Sequence, residues 1–398
     1  MISRIEIENF FSIAERQVLD FTVPANAPDL ACFRDSPAAP GQRLPVAVGI
    51  YGPNASGKST VLRAVARASV FARNSFGLAP DALIPWIHPY AQKDWLNRPT
   101  RIKLEFIGRC LEKNQPGHYR YELEISHDET RFGKSVSYES LSCAPKGRYR
   151  RVFERSGQKF SFGREFGIGD NDPRAESIRP NASVISTLAQ HNHPIALELI
   201  AIFREWMTNT PFGLTKASQG LIGALNTYSE RPEYRTALNR ELSRLDLGLE
   251  EMELSAGRDG PRATFKHFGL DCEILLEEES TGTRRFIELF PKIQASLDSG
   301  GVAVIDELDI HVHPNLMPEI IRWYYDRRRN PKGAQLLFTA HNPAILAELE
   351  KEQVFFTEKP SGEATRVYGA REIKGLRREP SLMKKYLSGE LGAVPQIG

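Results

Sequence analysis

The spacing of hydrophobic and polar positions predicts strands and helices at both ends of the chain. Residues 44–51 (LPVAVGIY) form an apolar, β-branched run that predicts a buried strand, and residues 59–71 place apolar side chains at helical spacing. Two more apolar runs, 302–305 and 336–342, predict strands in the C-terminal third, the second of them ending in a histidine. The pattern is that of an α/β protein.

Between these ends the pattern changes period once. Residues 101–162 alternate polar and apolar positions in short runs divided by Gly, Pro and Asn, which predicts a series of strands. Residues 184–189, 194–207 and 234–247 instead follow a helical period. We therefore predict an insertion that is β-rich and then helical. It contains no long heptads, which argues against a coiled-coil arm.

A glycine-rich loop, GIYGPNASGKST (49–60), lies between the first predicted strand and helix. Gly52 and Gly57 allow successive backbone N–H groups to point into one concavity, which binds anions, and the helix adds the positive end of its dipole. In such a loop Lys58 reaches the β- and γ-phosphates and the Ser59 hydroxyl is placed on Mg²⁺. The sequence thus predicts that the chain binds a nucleoside triphosphate with Mg²⁺, and the family resemblance given below implies that the nucleotide is ATP. The predicted nucleotide-binding residues of the loop are Asn54, Ala55, Ser56, Gly57, Lys58, Ser59 and Thr60.

A second motif, GVAVIDE (301–307), supplies acidic groups. Asp306 ends a predicted strand, where a carboxylate can hold the water shell of Mg²⁺. Glu307 follows directly and is placed to orient or deprotonate an attacking water. Ser59 and Asp306 are therefore the predicted metal-site residues, and Glu307 is the predicted catalytic base.

Two further segments, ESTGTRR (279–285) and LLFTAHN (336–342), complete a recognisable order of motifs. With them the chain resembles the ABC-class ATPase heads, the class that contains SMC, RecF and OLD-type proteins. Ser280 and Gly282 match its signature motif, which implies a role in nucleotide binding, and His341 matches its switch histidine, which implies a catalytic role. Within this class, the chain most resembles the ATP-binding proteins with an SxGTxR signature that are found in prokaryotic phage-defence and abortive-infection operons.

The match has departures. Thr281 and Thr283 replace the first Gly and the usual Gln or Glu of the signature. The D-loop position falls on His313 rather than Asp, so the usual cross-dimer contact of that loop is not carried over. His311 and His313 flank one residue, which leaves metal ligation and ordinary packing both open. Gln92 is a candidate for the glutamine that senses Mg²⁺, on position alone.

The resemblance implies a P-loop NTPase with an ABC-type head: an N-terminal lobe (1–100), the insertion (101–262) and a C-terminal lobe (263–398). It also implies that Ser280 caps the γ-phosphate held by a partner subunit, in a homodimer or higher homo-oligomer joined through an ATP sandwich. The expected output is control of a separately encoded effector, with a nuclease as one candidate, in antiphage defence. A RecF-like DNA-repair clamp and a low-turnover scaffold that sequesters a toxin remain alternatives.

Composition adds limits to this interpretation. The chain has 398 residues, 41% of them hydrophobic, and can bury a large core. Its four cysteines have no metal-site spacing and are interpreted as free thiols. It has no apolar stretch long enough to span a membrane, so we expect a cytoplasmic protein with no membrane contact. Net charge is only +2, yet basic clusters at 146–155 and 371–385 leave nucleic acid open as a partner.

Overall fold

The computed structural model describes residues 1–109, 115–145, 147–169, 172–210, 217–245, 248–257, 260–310, 316–360, 363–377 and 382–393. Within these ranges the strands are β1 (Ile2–Glu8), β2 (Gln17–Asp20), β3 (Phe33–Asp35), β4 (Arg43–Pro45), β5 (Ala47–Tyr51), β6 (Thr100–Arg109), β7 (Pro116–His127), β8 (Gly133–Ala144), β9 (Arg150–Ser156), β10 (Lys159–Phe162), β11 (Trp206–Thr208), β12 (Leu249–Gly257), β13 (Gly260–His267), β14 (Ile274–Leu275), β15 (Val302–Ile305), β16 (Gln335–Thr339), β17 (Val354–Glu358) and β18 (Arg366–Gly369). The helices are α1 (Lys58–Asn74), α2 (Lys93–Leu96), α3 (Pro173–Glu176), α4 (Val184–Gln190), α5 (Pro194–Arg204), α6 (Ala217–Glu230), α7 (Pro232–Arg244), α8 (Thr281–Ser299), α9 (Leu316–Tyr325) and α10 (Leu382–Leu387).

One antiparallel sheet joins the N-terminus to the β-rich part of the predicted insertion. Its strand order is β10-β9-β8-β7-β6-β1-β2. Burial alternates along β6 and β7 as polarity alternates in the sequence, so the prediction of strands in 101–162 is confirmed. Because β6–β10 continue the sheet that β1 and β2 begin, this part of the chain is built onto the N-terminal lobe by backbone pairing.

A second sheet has the strand order β11-β15-β16-β5-β17-β18. It places β5, which leads into the glycine-rich loop, in the same sheet as β15, which ends before Asp306. All strands up to β17 run parallel, and β18 is antiparallel to β17. Val302 and Val304 belong to one hydrophobic cluster, and Ala303 and Ile305 to the other. Both faces are therefore buried, which explains the unbroken apolar runs in the sequence. The carboxyl ends of β5, β15 and β16 open at one edge, where α/β proteins bind ligands.

Helices cover both faces of the parallel sheet. On one side α1 lies between the two sheets with α4 and α5, and is buried along most of its length. On the other side α8 and α9 pack on the sheet, and α6 and α7 belong to the same core. The Gln335 side chain accepts a hydrogen bond from the Ile2 N–H (2.7 Å) and donates to the Ile2 carbonyl (3.1 Å), which links the two sheets. In the described part of the chain, no helix is both long and apolar enough for a membrane crossing.

Two predicted elements are divided in the structure. The strand predicted over 44–51 becomes β4 and β5, because Pro45 has no N–H and the Val46 N–H donates to the Cys32 carbonyl instead. The helix predicted over 194–207 ends with α5, and the remaining residues form β11. Trp206 continues the helical pattern of apolar residues in the sequence, but in the structure it packs against Phe106 from the antiparallel sheet. A buried apolar residue at this position is compatible with a helix and with a strand, so the pattern alone does not distinguish them.

Candidate nucleotide-binding site

The glycine-rich loop connects β5 to α1 at the edge where the parallel strands end. Gly57 has φ +106°, and a Cβ there would lie 2.3 Å from the Thr365 hydroxyl oxygen. Gly52 has φ +151°, and a Cβ there would lie 2.2 Å from the Thr357 carbonyl oxygen. Backbone angle and space therefore both require glycine at these positions.

Lys58 is the first residue of α1, and only 5% of it is exposed. Its Nζ donates to the carbonyl oxygens of Gly52 and Pro53, both at 2.9 Å. Burial lowers the pKa of Lys58, and nearby carboxylates, Asp306 foremost, act in the opposite direction. Among the described residues no side chain caps the start of α1, so its first N–H groups are available to an anion.

Asp306 follows β15 and meets the loop residue predicted to share its cation. Its Oδ1 accepts hydrogen bonds from Ser59 Oγ (3.0 Å) and Thr339 Oγ1 (2.7 Å). The two predicted metal-site residues, from opposite ends of the chain, are thus in direct contact. Hydroxyl and carboxylate oxygens are the donors that Mg²⁺ prefers, so the residues present fit the predicted ion.

Glu307 adopts φ +54°, a left-handed conformation that is uncommon outside glycine. Such a conformation costs about 1–3 kcal/mol and persists only where the surroundings impose it. Here the Glu307 N–H donates to Thr339 Oγ1 at 2.7 Å. The turn that carries the predicted base is therefore fixed by a hydroxyl from the neighbouring strand, and the Glu307 side chain lines the cleft.

His341 lies just after β16 and also lines the cleft. Its N–H and that of Asn342 donate to Asp309 Oδ2, at 2.7 and 2.6 Å. Asp309 thereby ties the segment after β15 to the segment after β16, a role that the motifs do not indicate. His311 and His313, including the D-loop position, lie outside the described residues.

The cleft formed by these groups has a volume of about 1270 Å³, enough for a nucleotide. Ser56 of the predicted set is buried behind the loop, where its hydroxyl and that of Thr357 are 2.6 Å apart. The remaining loop residues of the predicted set line the cleft with Glu307 and His341, namely Asn54, Ala55, Gly57, Lys58, Ser59 and Thr60.

The other end of the cleft comes from residues that no motif indicates. Phe11, at φ +51°, and His88 line it, with ring centroids 5.1 Å apart. Ser12 also lines it, and its hydroxyl is 2.9 Å from that of Thr60 in the loop. Gln92, the position-based candidate for an Mg²⁺ sensor, lines a separate depression instead.

Asn209, directly after β11, is a further residue that sequence reasoning missed. Its Nδ2 donates to the Asp306 carbonyl at 2.8 Å, and its Oδ1 accepts from the Asp306 N–H at 2.7 Å. Both hydrogen bonds fix the main chain around the predicted metal-site carboxylate. Recognising β11 as a strand would have indicated this residue. β11 pairs in parallel with β15, so the carboxyl ends of both strands lie at the edge of the sheet where Asp306 is found.

The predicted signature residues lie elsewhere on the surface. Ser280 is exposed and caps α8, where its Oγ accepts from the Thr283 N–H at 3.0 Å. Neither Ser280 nor Gly282 lines the cleft of its own chain. One turn further along α8, Arg285 Nη2 donates to the Asp306 carbonyl at 3.4 Å. The helix that begins at the signature therefore contacts the cleft from behind, while its first residues face outward.

The two basic clusters are only partly available to a nucleic acid. In the first, Arg155 is fully buried, and Arg150 and Arg151 pair with Glu165 (3.3 Å) and Glu154 (3.6 Å). In the second, residues 378–381 lie outside the described residues. Within the described residues 147–155, the first cluster is therefore not uniformly exposed, and nucleic acid as a partner stays a prediction.

The fold and the cleft are those of a P-loop ATPase domain, so the predicted α/β class with an ABC-type head is confirmed. The chain belongs to the family described as "AAA domain, putative AbiEii toxin, Type IV TA system", whose model matches residues 47–347. The boundaries of the three predicted domains stay a prediction.

Individual relatives are distant. The chain is 23% identical over 103 residues to the "Retron Vc95 probable ATPase" of Vibrio cholerae serotype O1 biovar El Tor, an alignment that covers 26% of this chain and 20% of that protein. It thus spans about a fifth of that relative's length. Among solved structures, an SMC head domain from Thermotoga maritima is 14% identical with a TM-score of 0.41, covering 92% of this chain and 98% of the other. A Smc head domain bound to the C-terminal domain of ScpA, from Pyrococcus furiosus, is 12% identical with a TM-score of 0.47 and 98% coverage of each chain.

Proposed function

We propose that this chain binds and hydrolyses Mg²⁺-ATP as an ATP-bridged dimer, and that its nucleotide state controls a separately encoded effector in antiphage defence. The observation that carries the proposal is the separation of two groups of predicted site residues. Lys58 and Ser59 line one cleft and Asp306 accepts a hydrogen bond from Ser59, whereas Ser280 is exposed outside the cleft. A site that needs both groups is complete only when a second copy supplies the signature.

Within one copy, the loop N–H groups and Lys58 hold the phosphates, with Lys58 exchanging its carbonyl partners for phosphate oxygens. Ser59 and Asp306 would hold an Mg²⁺ ion, which would supply positive charge to neutralise the phosphates. Glu307 orients the attacking water and accepts its proton, and His341 faces the same cleft from the next strand. The partner's signature helix aims its N-terminus at the γ-phosphate, so engagement depends on that phosphate and ends with hydrolysis.

The link to defence is supported by relatives only. The matched family is described by an abortive-infection toxin system, and the Vibrio relative is named for a retron. An effector that this chain restrains or releases fits both descriptions. A DNA clamp is the competing output, and turnover stimulated by duplex DNA in the isolated protein would favour it.

The first test is Glu307→Gln, which keeps the size of the side chain but removes the base. ATP should bind and persist, and turnover should fall by about 10²–10⁴-fold. The variant should accumulate as an ATP-dependent dimer or larger assembly in size-exclusion chromatography with light scattering. Hydrolysis at the wild-type rate would show that Glu307 is not the base.

The second test asks whether Ser280 acts across subunits. Ser280→Arg places a bulky cation where the partner's γ-phosphate should dock, so each copy should still bind ATP while hydrolysis and association are lost. Mixed with Lys58→Ala, it should regain part of the ATPase activity, because one intact loop meets one intact signature. A mixture that stays inactive despite demonstrated subunit exchange would argue for hydrolysis within one chain.

A further inference from the structure

The turn that precedes the signature in the chain carries exposed apolar side chains. Residues 268–273, between β13 and β14, are exposed throughout. Phe268, Leu270 and Leu275 are 57%, 53% and 45% exposed, and we call these three residues the apolar tip. Large apolar side chains that are exposed close together are typical of surfaces that bind another protein.

The apolar tip is fixed in place beside Ser280. His267 Nε2 lies 2.6 Å from a Glu279 carboxylate oxygen, which ties the start of the turn to the residue before Ser280. Leu276, next to the tip, is buried in the same hydrophobic cluster as Phe286 of α8. The base of the turn that carries the apolar tip is therefore held next to the residue that precedes Ser280.

Charge distinguishes this region from the edge of the cleft. Residues 250–279 contain nine acidic residues against three Lys or Arg, although the whole chain is nearly balanced at +2. In contrast, the exposed side chains of Arg131 and Lys359 line the nucleotide cleft, with Arg63 further along its wall. The exposed cations Arg131 and Lys359 are thus opposite in charge to the acidic segment that carries the tip, although Glu307 and Asp309 also line the cleft.

We propose that the apolar tip, with the acidic residues around it, docks on the rim of the nucleotide cleft of a second copy of this chain. The inference rests on the proposed function: if Ser280 reaches the γ-phosphate held by the second copy, the tip faces the rim where Arg131 and Lys359 lie. Opposite charges then guide the approach, and the apolar side chains are buried on contact. The tip stabilises the dimer without touching ATP.

The experiment measures dimer affinity by analytical ultracentrifugation, with Mg²⁺-ATP, in the Glu307→Gln background. Adding Phe268→Ser and Leu270→Ser together should weaken the dimer by about tenfold or more, with ATP affinity unchanged in calorimetry. The matched control is Leu387→Ser, because Leu387 is 62% exposed on α10, away from the signature in sequence, and its removal should leave the dimer unchanged. Thermal melting of each variant verifies folding.

Cys272, an exposed free thiol in the turn, provides a second readout. Its alkylation, followed by mass spectrometry of the peptide that contains it, should slow several-fold when Mg²⁺-ATP is added to the Glu307→Gln protein. A dimer of parental affinity in the tip variant, with Cys272 unprotected in the parental dimer, would overturn the docking surface and leave the proposed function standing. Absence of any ATP-dependent dimer in the Glu307→Gln protein itself would overturn both.

Discussion

Two regions of this molecule hold buried charges in different ways. Between the antiparallel sheet and α4, Arg155 and Glu139 are both fully buried, 3.8 Å apart, and we call them the core ion pair. Arg155 donates to the carbonyl oxygens of Gly157, Ala182 and Arg179, at 2.7, 2.6 and 3.0 Å. The guanidinium thus has main-chain partners on several sides.

The other half of the core ion pair is equally well bound. Burial raises the pKa of Glu139, and the Arg155 charge acts against that shift. The Glu139 carboxylate accepts from Tyr121 Oη (2.9 Å), Ser183 Oγ (2.6 Å) and the Val184 N–H (3.0 Å). These partners replace the water that a buried charge loses.

At the glycine-rich loop the charges are held by groups that a ligand can replace. The hydrogen bonds of Lys58 go to neutral carbonyl oxygens of its own loop, and Asp306 accepts from two hydroxyls. The cleft beside them is open to a molecule of nucleotide size. The difference separates a structural use of buried charge from the proposed use in binding a phosphate and a cation.

Arg155→Met should give the largest effect on stability. It removes the guanidinium donors and leaves Glu139 buried without a compensating charge, which destabilises a protein by about 3–5 kcal/mol. Urea unfolding followed by circular dichroism measures the change, with Lys58→Ala as the matched removal of a buried cation from the other region. A loss below about 1 kcal/mol, the net worth of one ordinary hydrogen bond, would mean that the two regions do not differ as argued.

Lys58→Ala should reverse the pattern, with little change in stability and a large change in binding. Because burial lowers the pKa of Lys58, its charge is disfavoured in the folded, ligand-free protein, so its removal should not destabilise the fold. A charge-assisted contact to phosphate contributes roughly 1.5–3 kcal/mol, so ATP affinity should fall at least about tenfold. Calorimetry on the folded variant decides, and undiminished affinity would remove Lys58 from the site.

The two regions also differ in how far the sequence predicts them. The glycine-rich loop and the acidic pair at 306–307 are each a continuous stretch of sequence with a recognisable chemistry. Their proximity in the fold could therefore be predicted from the sequence alone. Arg155, in contrast, is one member of a basic cluster in the sequence. Its burial depends on backbone carbonyls 24 to 27 residues away in the chain, which no local pattern encodes.

The same limit applies within the site. Asn209 and Thr339 reach Asp306 only because β11 and β16 flank β15, and β11 lies in a run that also fits a helix. The left-handed turn at Glu307 is likewise imposed by its surroundings and not by its residue type. The residues in the motifs could be predicted from the sequence. The residues that position them, Asn209 and Thr339, could be identified only once the order of strands in the sheet was known.

Asn209→Ala should give the smallest of these effects. It tests the two hydrogen bonds between Asn209 and the Asp306 main chain, which lie beside the nucleotide cleft. The substitution removes two hydrogen bonds to the Asp306 main chain, worth about 1–2 kcal/mol. If Asn209 positions Asp306, turnover should fall by about tenfold, and more Mg²⁺ should be needed for half-maximal activity. ATP binding measured without Mg²⁺ should not change, because Asn209 does not line the cleft.

Asn209→Asp is the matched control, because it keeps the acceptor for the Asp306 N–H but loses the donor. Its turnover should lie between that of the alanine variant and that of the parent. Turnover below that of the alanine variant would show that the added charge repels the Asp306 carboxylate. Wild-type turnover and Mg²⁺ dependence in a folded Asn209→Ala protein would show that the Thr339 and Ser59 hydroxyls alone suffice to hold Asp306.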